Sequence, residues 1–418
     1  MHKMTAALVG CFFSVDAQAA GFALIEQSAS GMGNAFAGAA ASAEDASTIF
    51  FNPAGMTYIQ GSQVVGALHL IKPTAHFDDD GSTAALLRTK GGEGGDLGDL
   101  SFVPNFYYVH EVNPSIKVGL GINAPFGLKT EYDDDWMGRF QAIKSELKTV
   151  NINPSIAFKV TDNLSLGFGV SAMWAQAELT RAVNFLTFGE GGAKIKGDDW
   201  GFGFNAGAIY QVTGATRVGL AYRSKVEQHL DGDVKFKLPS PALTALSPNG
   251  GVKADVTLPE TLSLSVFSQV NDTWDVMADV TWTRWSQFQE LKVVRDSGTV
   301  LQNVEENWHN TMRYSIGANY KYCDSLKLRM GVAYDEEAIP TDTRTARIPG
   351  NDRTWLALGA AWQVNPSTKL DIGYAHLFVS DAKIDDDQTS VAKGRNGRLT
   401  GEYDGSVNIL SAQVSYSF

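Results

Sequence analysis

Apolar and polar residues alternate along most of this chain, from about residue 63 to its end. The alternation runs in stretches of roughly ten residues, the pattern of β-strands whose two faces meet different surroundings. In the stretch 326–334, large apolar side chains point one way and Lys327, Arg329, Gly331 and Ala333 point the other. The same pattern closes the chain, with apolar positions at Leu410, Ala412, Val414, Tyr416 and Phe418.

The connections between these stretches alternate between short and long. Counting the stretches predicts about fourteen antiparallel strands, an even number of the kind found in bacterial barrels. Tight turns on one side and long loops on the other are expected of an up-and-down barrel in an asymmetric membrane, whereas a soluble β-sandwich has no reason for this order. We therefore predict an all-β transmembrane barrel with its apolar face toward lipid. The long linkers cover 74–100, 124–145, 182–198, 231–250, 295–304, 341–350 and 387–400.

Composition narrows the class further. The 418 residues include 42 Gly and 11% aromatic residues, and the formal net charge is −12. No apolar run approaches the roughly 18 residues of a transmembrane helix, and an acidic balance without a basic stripe argues against nucleic acid as a partner. Scattered histidines, and the lack of any nucleophile–base or phosphate-loop spacing, predict no metal, no cofactor and no enzymatic activity.

The first nineteen residues resemble a secretory signal peptide. An apolar run over 5–13 precedes the small residues before Ala19, and cleavage there leaves Ala20 as the mature start. A lipoprotein cleavage box ending at Cys11 is the alternative interpretation. With the signal removed, Cys323 is the only cysteine left, so no intramolecular disulfide is expected.

Residues 20–61 lack the strand pattern and are rich in Gly, Ala and Ser. A barrel of about fourteen strands encloses more space than its own side chains fill, and the apolar residues of this segment suit a plug inside it. The alternative is a flexible periplasmic tail. The predicted division is therefore a signal peptide (1–19), an N-terminal plug (20–61) and a transmembrane barrel (62–418).

The plug region also carries a family resemblance. Its motifs are similar to the start of the mature FadL family, whose members are outer-membrane transporters of long-chain fatty acids and aromatic hydrocarbons. The barrel continues the likeness at 200–207, 222–224, 285–288 and 348–356, and at the terminal Phe418. The N-terminal motifs are Ala20-Gly21-Phe22, Ser30-Gly31-Met32-Gly33, Ala35-Phe36-Ala37-Gly38, Asp45-Ala46 and Asn52-Pro53-Ala54.

The resemblance implies a fourteen-stranded barrel with an N-terminal hatch in the outer membrane of a Gram-negative bacterium. It implies passive transport of hydrophobic compounds by loop capture, binding in the lumen and lateral release into the bilayer. Expected partners are the hydrophobic ligand, outer-membrane lipid and lipopolysaccharide, and the barrel-assembly machinery through Phe418. The implied plug and gate residues are Ala20, Gly21, Phe22, Asn52, Pro53 and Ala54.

Apolar residues in three outer loops are candidates for ligand capture. Loop 124–145 carries some of them at helical spacing. The resemblance implies a groove between the third and fourth outer loops, here 182–198 and 231–250, although the first is short and has no obvious helix. The alternative is that these side chains pack the loops onto each other. The candidates are Trp136, Met137, Phe140, Phe185, Leu186, Phe188, Leu243 and Leu246.

Two further expectations concern the ligand's carboxylate and its exit. Arg181 and Arg313 fall on the lumen-facing parity, where a buried carboxylate needs a cation, and Arg181 matches a position that is basic in the family. Pairing with wall carboxylates is the alternative role. The family's side door is a kink in the third strand, which here carries Gly119 and Gly121; glycine within a strand often marks a bend. These glycines could instead make room for the plug.

Two rival functions have distinct signatures. A general diffusion porin for polar solutes has an open lumen and no inserted N-terminal segment. An outer-membrane lipase or protease needs a nucleophile and a base clustered at the barrel rim.

Overall fold

A computed structural model describes residues 21–418, so the predicted signal peptide and Ala20 lie outside the described residues. The helices are α1 (Ala29–Met32), α2 (Ala39–Ser42), α3 (Thr48–Phe51) and the 3₁₀ helices η1 (Pro53–Tyr58), η2 (Leu186–Phe188), η3 (Pro241–Leu243) and η4 (Trp285–Gln287). The strands are β1 (Gln63–Asp79), β2 (Ser101–Asn113), β3 (Ile116–Asn123), β4 (Gly127–Glu131), β5 (Lys144–Lys159), β6 (Leu164–Asn184), β7 (Glu190–Gln211), β8 (Thr216–Arg223), β9 (Val226–Lys237), β10 (Gly250–Leu258), β11 (Thr261–Gln269), β12 (Trp274–Thr283), β13 (Glu290–Arg295), β14 (Val300–Glu305), β15 (Thr311–Cys323), β16 (Leu326–Asp335), β17 (Arg353–Asn365), β18 (Thr368–Gln388) and β19 (Gly397–Ser417).

These segments join into a closed antiparallel barrel of fourteen strands. Five of the fourteen are interrupted once: β3 with β4, β8 with β9, β10 with β11, β12 with β13, and β14 with β15. The two segments of each pair form one strand, because both of them pair with the same neighbouring strand or with the two segments of one interrupted neighbour. The first strand pairs with the last from Gln63↔Ser417 to Asp79↔Gly401, which closes the barrel. The predicted architecture is confirmed.

The two faces of the wall differ as the alternation predicts. On β6, Phe168 and Val170 are exposed on the outer face, and Gly169 and Ser171 are buried on the inner face. Phe202 on β7 is 74% exposed. No helix within residues 21–418 is long and apolar enough to cross a membrane. The exposed apolar side chains of the outer face form a surface suited to contact with lipid.

Several predicted linkers are partly strand. Residues 190–198, 231–237, 300–304 and 397–400 all belong to β-strands. The boundaries were wrong because these strand ends project past the apolar band, where outward residues such as Lys194 and Lys196 are charged. Without a purely apolar face, a strand and a polar loop have similar sequences.

The N-terminal segment, residues 21–62, lies inside the barrel. Its turns have ordinary caps: Ser28 accepts a hydrogen bond from the amide of Gly31, and Asn52 accepts one from Ala54, with Pro53 at the first position of η1. The Asn52 amide group also donates to the carbonyls of Ala40 (2.7 Å) and of Ala208 on β7 (3.1 Å). The Asn-Pro-Ala motif thus caps a helix and fastens it to the wall.

An ionic cluster fastens the same segment on another side of the barrel. The Arg329 guanidinium on β16 donates to both oxygens of Glu44 at 2.6 Å and to Asp371 on β18 at 2.7 Å. Lys369 lies 3.4 Å from Glu44. The Arg329 and Asp371 side chains are fully buried, so this contact is shielded from screening by solvent.

Inward-facing glycines admit the backbone of the N-terminal segment. A Cβ atom at Gly219 on β8 would lie 1.9 Å from the carbonyl oxygen of Ala40, and one at Gly331 on β16 would lie 2.1 Å from that of Asn34. Gly167 on β6 meets the backbone of Ala54 in the same way. The wall and the segment are therefore fitted to each other at backbone distance.

Gly219→Ala should destabilise the packed segment, because the new methyl group overlaps the carbonyl of Ala40. We expect a loss of about 1–3 kcal/mol in the free energy of unfolding, the usual cost of overpacking, measured by urea titration of the purified protein in detergent. Gly66→Ala is the matched control, since a Cβ atom there has no neighbour within 4 Å. Equal stability of the two variants contradicts the fit.

Candidate functional site

The first described residues pair with a break in the barrel wall. The amide of Leu24 donates to the carbonyl of Pro125 at 2.8 Å, and the amide of Gly127 donates to the carbonyl of Phe22 at 2.9 Å. Ala23 forms an antiparallel bridge with Phe126 between these two bonds. We call residues 21–27 the leading segment; it acts as a short strand against the interrupted wall.

The wall is interrupted between β3 and β4. The ladder of β2 with β3 ends at Phe106↔Ile122, and β4 resumes pairing on its β5 side at Gly127↔Lys148. Pro125 has no amide hydrogen to donate, so residues 124–126 leave the ladder. We call this break in the wall, at residues 124–126, the gap.

The sequence placed the bend too early. Gly119 and Gly121 lie within the regular part of β3, paired on both sides. A Cβ atom at Gly119 would lie 2.6 Å from the sulfur of Met56 and 2.7 Å from Ile49. The glycines therefore admit the N-terminal segment, as the alternative interpretation held, and the break follows them at Pro125.

Phe22 is enclosed by four aromatic rings. Its centroid lies 4.7 Å from that of Trp285, 5.5 Å from Trp308, 5.6 Å from Phe288 and 6.1 Å from Phe126. The pairs with Trp285 and Phe288 are edge-to-face, and such pairs contribute about 0.5–1.5 kcal/mol each beyond the area they bury. We call Trp285, Trp308, Phe288 and Phe126 the aromatic cage.

Gly21 fits only as glycine. Its φ is +63°, and a Cβ atom there would lie 2.6 Å from ring atoms of both Trp285 and Trp308. The left-handed backbone turn brings the chain against the two indoles and points the next side chain into the cage. The Gly21-Phe22 pair is thus explained by local geometry.

Two cavities meet the leading segment. The lower cavity, about 140 Å³, is bounded by Ala23, Leu24 and Ile25, by Pro53 and Pro125, and by wall residues that include Arg223, Asp279, Arg313, Asp335 and Trp355. The upper cavity, about 100 Å³, lies on the long-loop side and is bounded by Phe22 and Phe288 and by aliphatic residues such as Leu179, Ile195, Leu230, Val252 and Leu291. Phe22 and the segment that follows it separate the two spaces.

The upper cavity contains a neutralised acid and a cation. Glu306 is buried beside the indole N–H of Trp308, which donates to it at 3.0 Å. Burial raises the pKa of Glu306 to about 8, although the Trp308 hydrogen bond and the charge of Arg347 oppose the shift and Asp386 adds to it. Arg347 donates to Ser145 (3.0 Å) and to the carbonyl of Gln141 (3.1 Å). Glu146 and Lys253 also border this space, so its lining carries charged groups of both signs.

The predicted cations lie in different places. Arg313 borders the lower cavity, donates to the carbonyl of Ala35 at 2.8 Å and lies 5.2 Å from the ring centre of Trp355. Asp279, a wall carboxylate on β12, accepts hydrogen bonds from Ser265 and Thr281 and none from Arg313 among the described residues. Arg181 lies near the outer end of β6, two residues beyond Leu179, which borders the upper cavity.

The predicted capture residues divide into buried and exposed groups. Trp136, Met137, Phe140 and Leu243 are buried in loop packing, and residues 134–141 form turns, so the helix suggested by their spacing is absent there. Trp136 stacks on Tyr132 at 3.7 Å. Phe185 and Leu186 are half-buried, whereas Phe188 and Leu246 are exposed. Leu86 and Leu87, in the first outer loop, were not predicted and are exposed. Asn184 of the third outer loop donates a hydrogen bond to the carbonyl of Leu86.

Sequence reasoning also missed the aromatic cage and the charged residues of the cavities. Trp285 and Trp308 lie on separate interrupted strands, far along the chain from Phe22. The breaks in alternation at 284–289 and 306–310, and the family resemblance at 285–288, mark these positions in the sequence without showing that they meet Phe22. Among residues 21–418, no group of His, Cys, Asp or Glu is arranged to hold a metal ion, and Cys323 is a free, exposed thiol.

Comparison with known proteins assigns this architecture. The family model described as outer membrane protein transport protein (OMPP1/FadL/TodX) matches residues 10–418. Outer membrane protein P1 of Haemophilus influenzae is 33% identical, with 96% of each chain covered. The long-chain fatty acid transport protein of Escherichia coli O6:H1 is 29% identical, over 100% of this chain and 98% of the relative. The crystal structure of a Pseudomonas aeruginosa FadL homologue superimposes with a TM-score of 0.88 at 26% identity, covering 96% of this chain and 100% of the other.

Proposed function

This chain belongs to the OMPP1/FadL/TodX family and transports hydrophobic compounds across the outer membrane, and from that premise we propose the route that its ligand takes. The ligand lands on the outer loops, enters the upper cavity, passes Phe22 into the lower cavity and leaves sideways through the gap beside Pro125. No cofactor and no covalent chemistry are needed for these steps.

The N-terminal residues 20–61 act as the plug that closes the barrel to polar solutes. Support comes from the wall glycines that admit the segment at backbone distance and from the ionic contact of Glu44 with Arg329. The rival function, a general porin, needs an open lumen. Liposome swelling with small sugars separates the two, because rapid swelling favours the porin.

Phe22 serves as the movable part of this plug. The observation that carries the proposal is its position between the two cavities, within the aromatic cage and beside the break between β3 and β4. Two backbone hydrogen bonds, one of Phe22 and one of Leu24, hold the leading segment to the wall. A ligand in the upper cavity packs against the Phe22 ring, and withdrawal of that ring from the cage then opens the way downward.

Lateral exit avoids returning the ligand to water. Each methylene gains about 0.8 kcal/mol on leaving water, so a chain of roughly sixteen carbons retains on the order of 12 kcal/mol by passing directly into lipid. The gap beside Pro125 borders the lower cavity on the inside. This explains why the break is on the wall and not at the periplasmic end, where the ionic cluster lies.

Capture depends on the exposed part of the predicted set. Phe188 in the third outer loop and Leu246 in the fourth present apolar side chains to solvent, and Leu86 and Leu87 extend this surface. The buried Trp136 and Phe140 hold the loops in place.

At the other end of the chain, Phe418 is exposed and serves recognition by the barrel-assembly machinery. Lipopolysaccharide and lipid surround the barrel.

Phe22→Ala should weaken binding of dodecanoate by about tenfold or more, which is 1.4 kcal/mol or more. The loss follows because the ring closes the upper cavity and is packed by four aromatic neighbours. Equilibrium binding of radiolabelled ligand to the purified protein measures it. Phe202→Ala, on the lipid face, is the matched control. If both variants bind like the parent, Phe22 has no role in the ligand site.

The affinity for dodecanoate should fall as pH rises through about 8. Below that pH the Glu306 carboxyl is protonated and neutral; above it, the group becomes an anion in the upper cavity, and repulsion between like charges weakens binding of the carboxylate there. Glu306→Gln should remove the part of the fall that lies near pH 8, and dodecanol should show none. A fall near pH 8 that persists in Glu306→Gln rules out this group as the cause.

A further inference from the structure

A second charged cluster lies beside the lower cavity, and the proposed route does not use it. Arg313, Asp335 and Arg353 are direct register partners across β15, β16 and β17, so all three point inward. Glu26 of the leading segment and Glu337, just beyond β16, are buried nearby. The five groups are held by three strands, a loop and the N-terminal segment.

The cations of this cluster have unused hydrogen-bond donors. None of the three guanidinium nitrogens of Arg353 has a partner within residues 21–418, although the residue is fully buried. Arg313 uses one nitrogen for the carbonyl of Ala35 and leaves Nε and Nη1 without partners in that range. A buried guanidinium needs an anion or polar group, because its desolvation is otherwise uncompensated.

The carboxylates of the cluster are also incompletely bonded. Oε2 of Glu26 and Oε2 of Glu337 have no partner among the described residues. Oε1 of Glu337 accepts from the amides of Ala338 and Ile339, both at 2.9 Å. The carboxylates of Glu26 and Glu337 therefore attract the two arginines electrostatically, but none of these unpartnered atoms forms a hydrogen bond within the described residues. Such an arrangement is expected of a site that binds another polar group.

A ligand in the lower cavity reaches this cluster. Arg313, Asp335 and Trp355 border the cavity, and the Arg313 guanidinium is held over the Trp355 ring at 5.2 Å. Its free N–H groups are suited to a carboxylate, which guanidinium binds through paired, charge-assisted hydrogen bonds. The apolar wall of the same cavity suits the attached hydrocarbon chain.

Charge balance limits the cluster to one mobile anion. Two arginines face Glu26, Asp335 and Glu337, so a second carboxylate beside Glu26 would add uncompensated negative charge. Replacing the Glu26 carboxylate by that of a ligand leaves the balance unchanged. Asp335 and Glu337 are fixed by the wall, whereas Glu26 belongs to the leading segment, four residues after Phe22.

We propose that Arg313 and Arg353 form a carboxylate-exchange site, in which Glu26 is the resident anion and the carboxylate of an incoming fatty acid takes its place. Exchange frees the leading segment, so ligand binding and opening at Phe22 are coupled. The inference rests on the proposed function and narrows its ligand class to anionic amphiphiles. Neutral hydrocarbons fill the cavity but do not displace Glu26.

The environment of Glu26 suits a replaceable anion. Burial raises the pKa of Glu26 to about 7, and the charges of Arg353 and Arg313 oppose this shift without cancelling it. The ionised form of the buried Glu26 side chain is therefore less stable than that of a carboxylate exposed to water. The backbone carbonyl of Glu26 accepts from Asn105 at the edge of the gap, at 2.9 Å, which places the exchange beside the exit.

Binding of dodecanoate and dodecanol to the full mature protein in detergent tests the exchange. Glu26→Gln should bind dodecanoate about fivefold or more tightly than the parent, the lower end of ordinary coupling between sites, because the competing anion is gone. Arg353→Gln should bind it about fivefold or more weakly, and Arg353→Lys should recover much of the loss. Affinity for dodecanol should change less than about twofold in every variant.

Movement of the leading segment provides a second readout. In protein labelled with 5-fluorotryptophan, the ¹⁹F resonances of Trp285 and Trp308, assigned with Trp→Phe variants, report whether Phe22 is seated. Dodecanoate should shift both resonances in the parent, and Glu26→Gln should show part of the shift without ligand. Circular dichroism and heat-modified migration on gels identify any variant that is not folded, and Glu26→Asp then replaces Glu26→Gln as the milder change, with a smaller gain in affinity.

The outcomes separate this inference from the proposed function. If dodecanoate and dodecanol bind with affinities that no substitution in the cluster changes differently, the exchange site is wrong while lumen binding stands. If neither compound binds the folded parent, the proposed function fails as well. Selective tightening in Glu26→Gln with selective weakening in Arg353→Gln supports the exchange.

Discussion

The pairing of the leading segment with the broken strand determines how the wall is closed and where Phe22 lies. In a membrane, backbone polar groups must be satisfied within the protein, which is why the wall is a closed antiparallel barrel. At residues 124–126 the ladder is broken, and the bonds of Leu24 to Pro125 and of Gly127 to Phe22 take its place. The same few residues therefore close the wall, seat Phe22 in its cage and divide the lumen.

The leading segment and the Glu44 region of the N-terminal segment are held by different kinds of contact. Arg329, Glu44 and Asp371 form charge-assisted bonds of 2.6–2.7 Å around a fully buried guanidinium, and removing one partner of such a group commonly costs about 3–5 kcal/mol. The leading segment has two backbone bonds to the gap and further bonds from Gln27 to Ala124, from Asn105 to Glu26 and from Tyr107 to Gln27, each worth about 1 kcal/mol, together with the aromatic contacts of Phe22. A ligand that supplies equivalent contacts can release the leading segment while the Glu44 region stays in place.

The strand pattern predicted the fold because each face of the wall meets one kind of surroundings. Leu326, Leu328 and Met330 alternate with inward polar or small residues over the whole span of the bilayer, so period and count could be read directly. Beyond the bilayer, Lys194 and Lys196 occupy the outward face, so the apolar outer residues that mark the strands elsewhere are missing and the strand could not be told from a loop. The inserted segment was predicted from composition, but its contacts depend on glycines such as Gly219, whose role is visible only when Ala40 lies against it.

The site was less predictable because its parts meet only in three dimensions. Phe22 was identified by resemblance, but its cage comes from Trp285, Trp308 and Phe288, which the interruptions of two distant strands bring together. In the sequence, Gly119 and Gly121 indicate a bend in the third strand, yet the strand is interrupted at Pro125. Trp136 and Phe140 look like exposed apolar residues, yet neighbouring loops bury them. Photo-crosslinking with a diazirine fatty acid, mapped by mass spectrometry, tests the central claim most directly: the account predicts adducts at 101–105 and 125–127, on both sides of the gap, whereas adducts concentrated around Glu44, Lys327 and Lys369 at the periplasmic end contradict it.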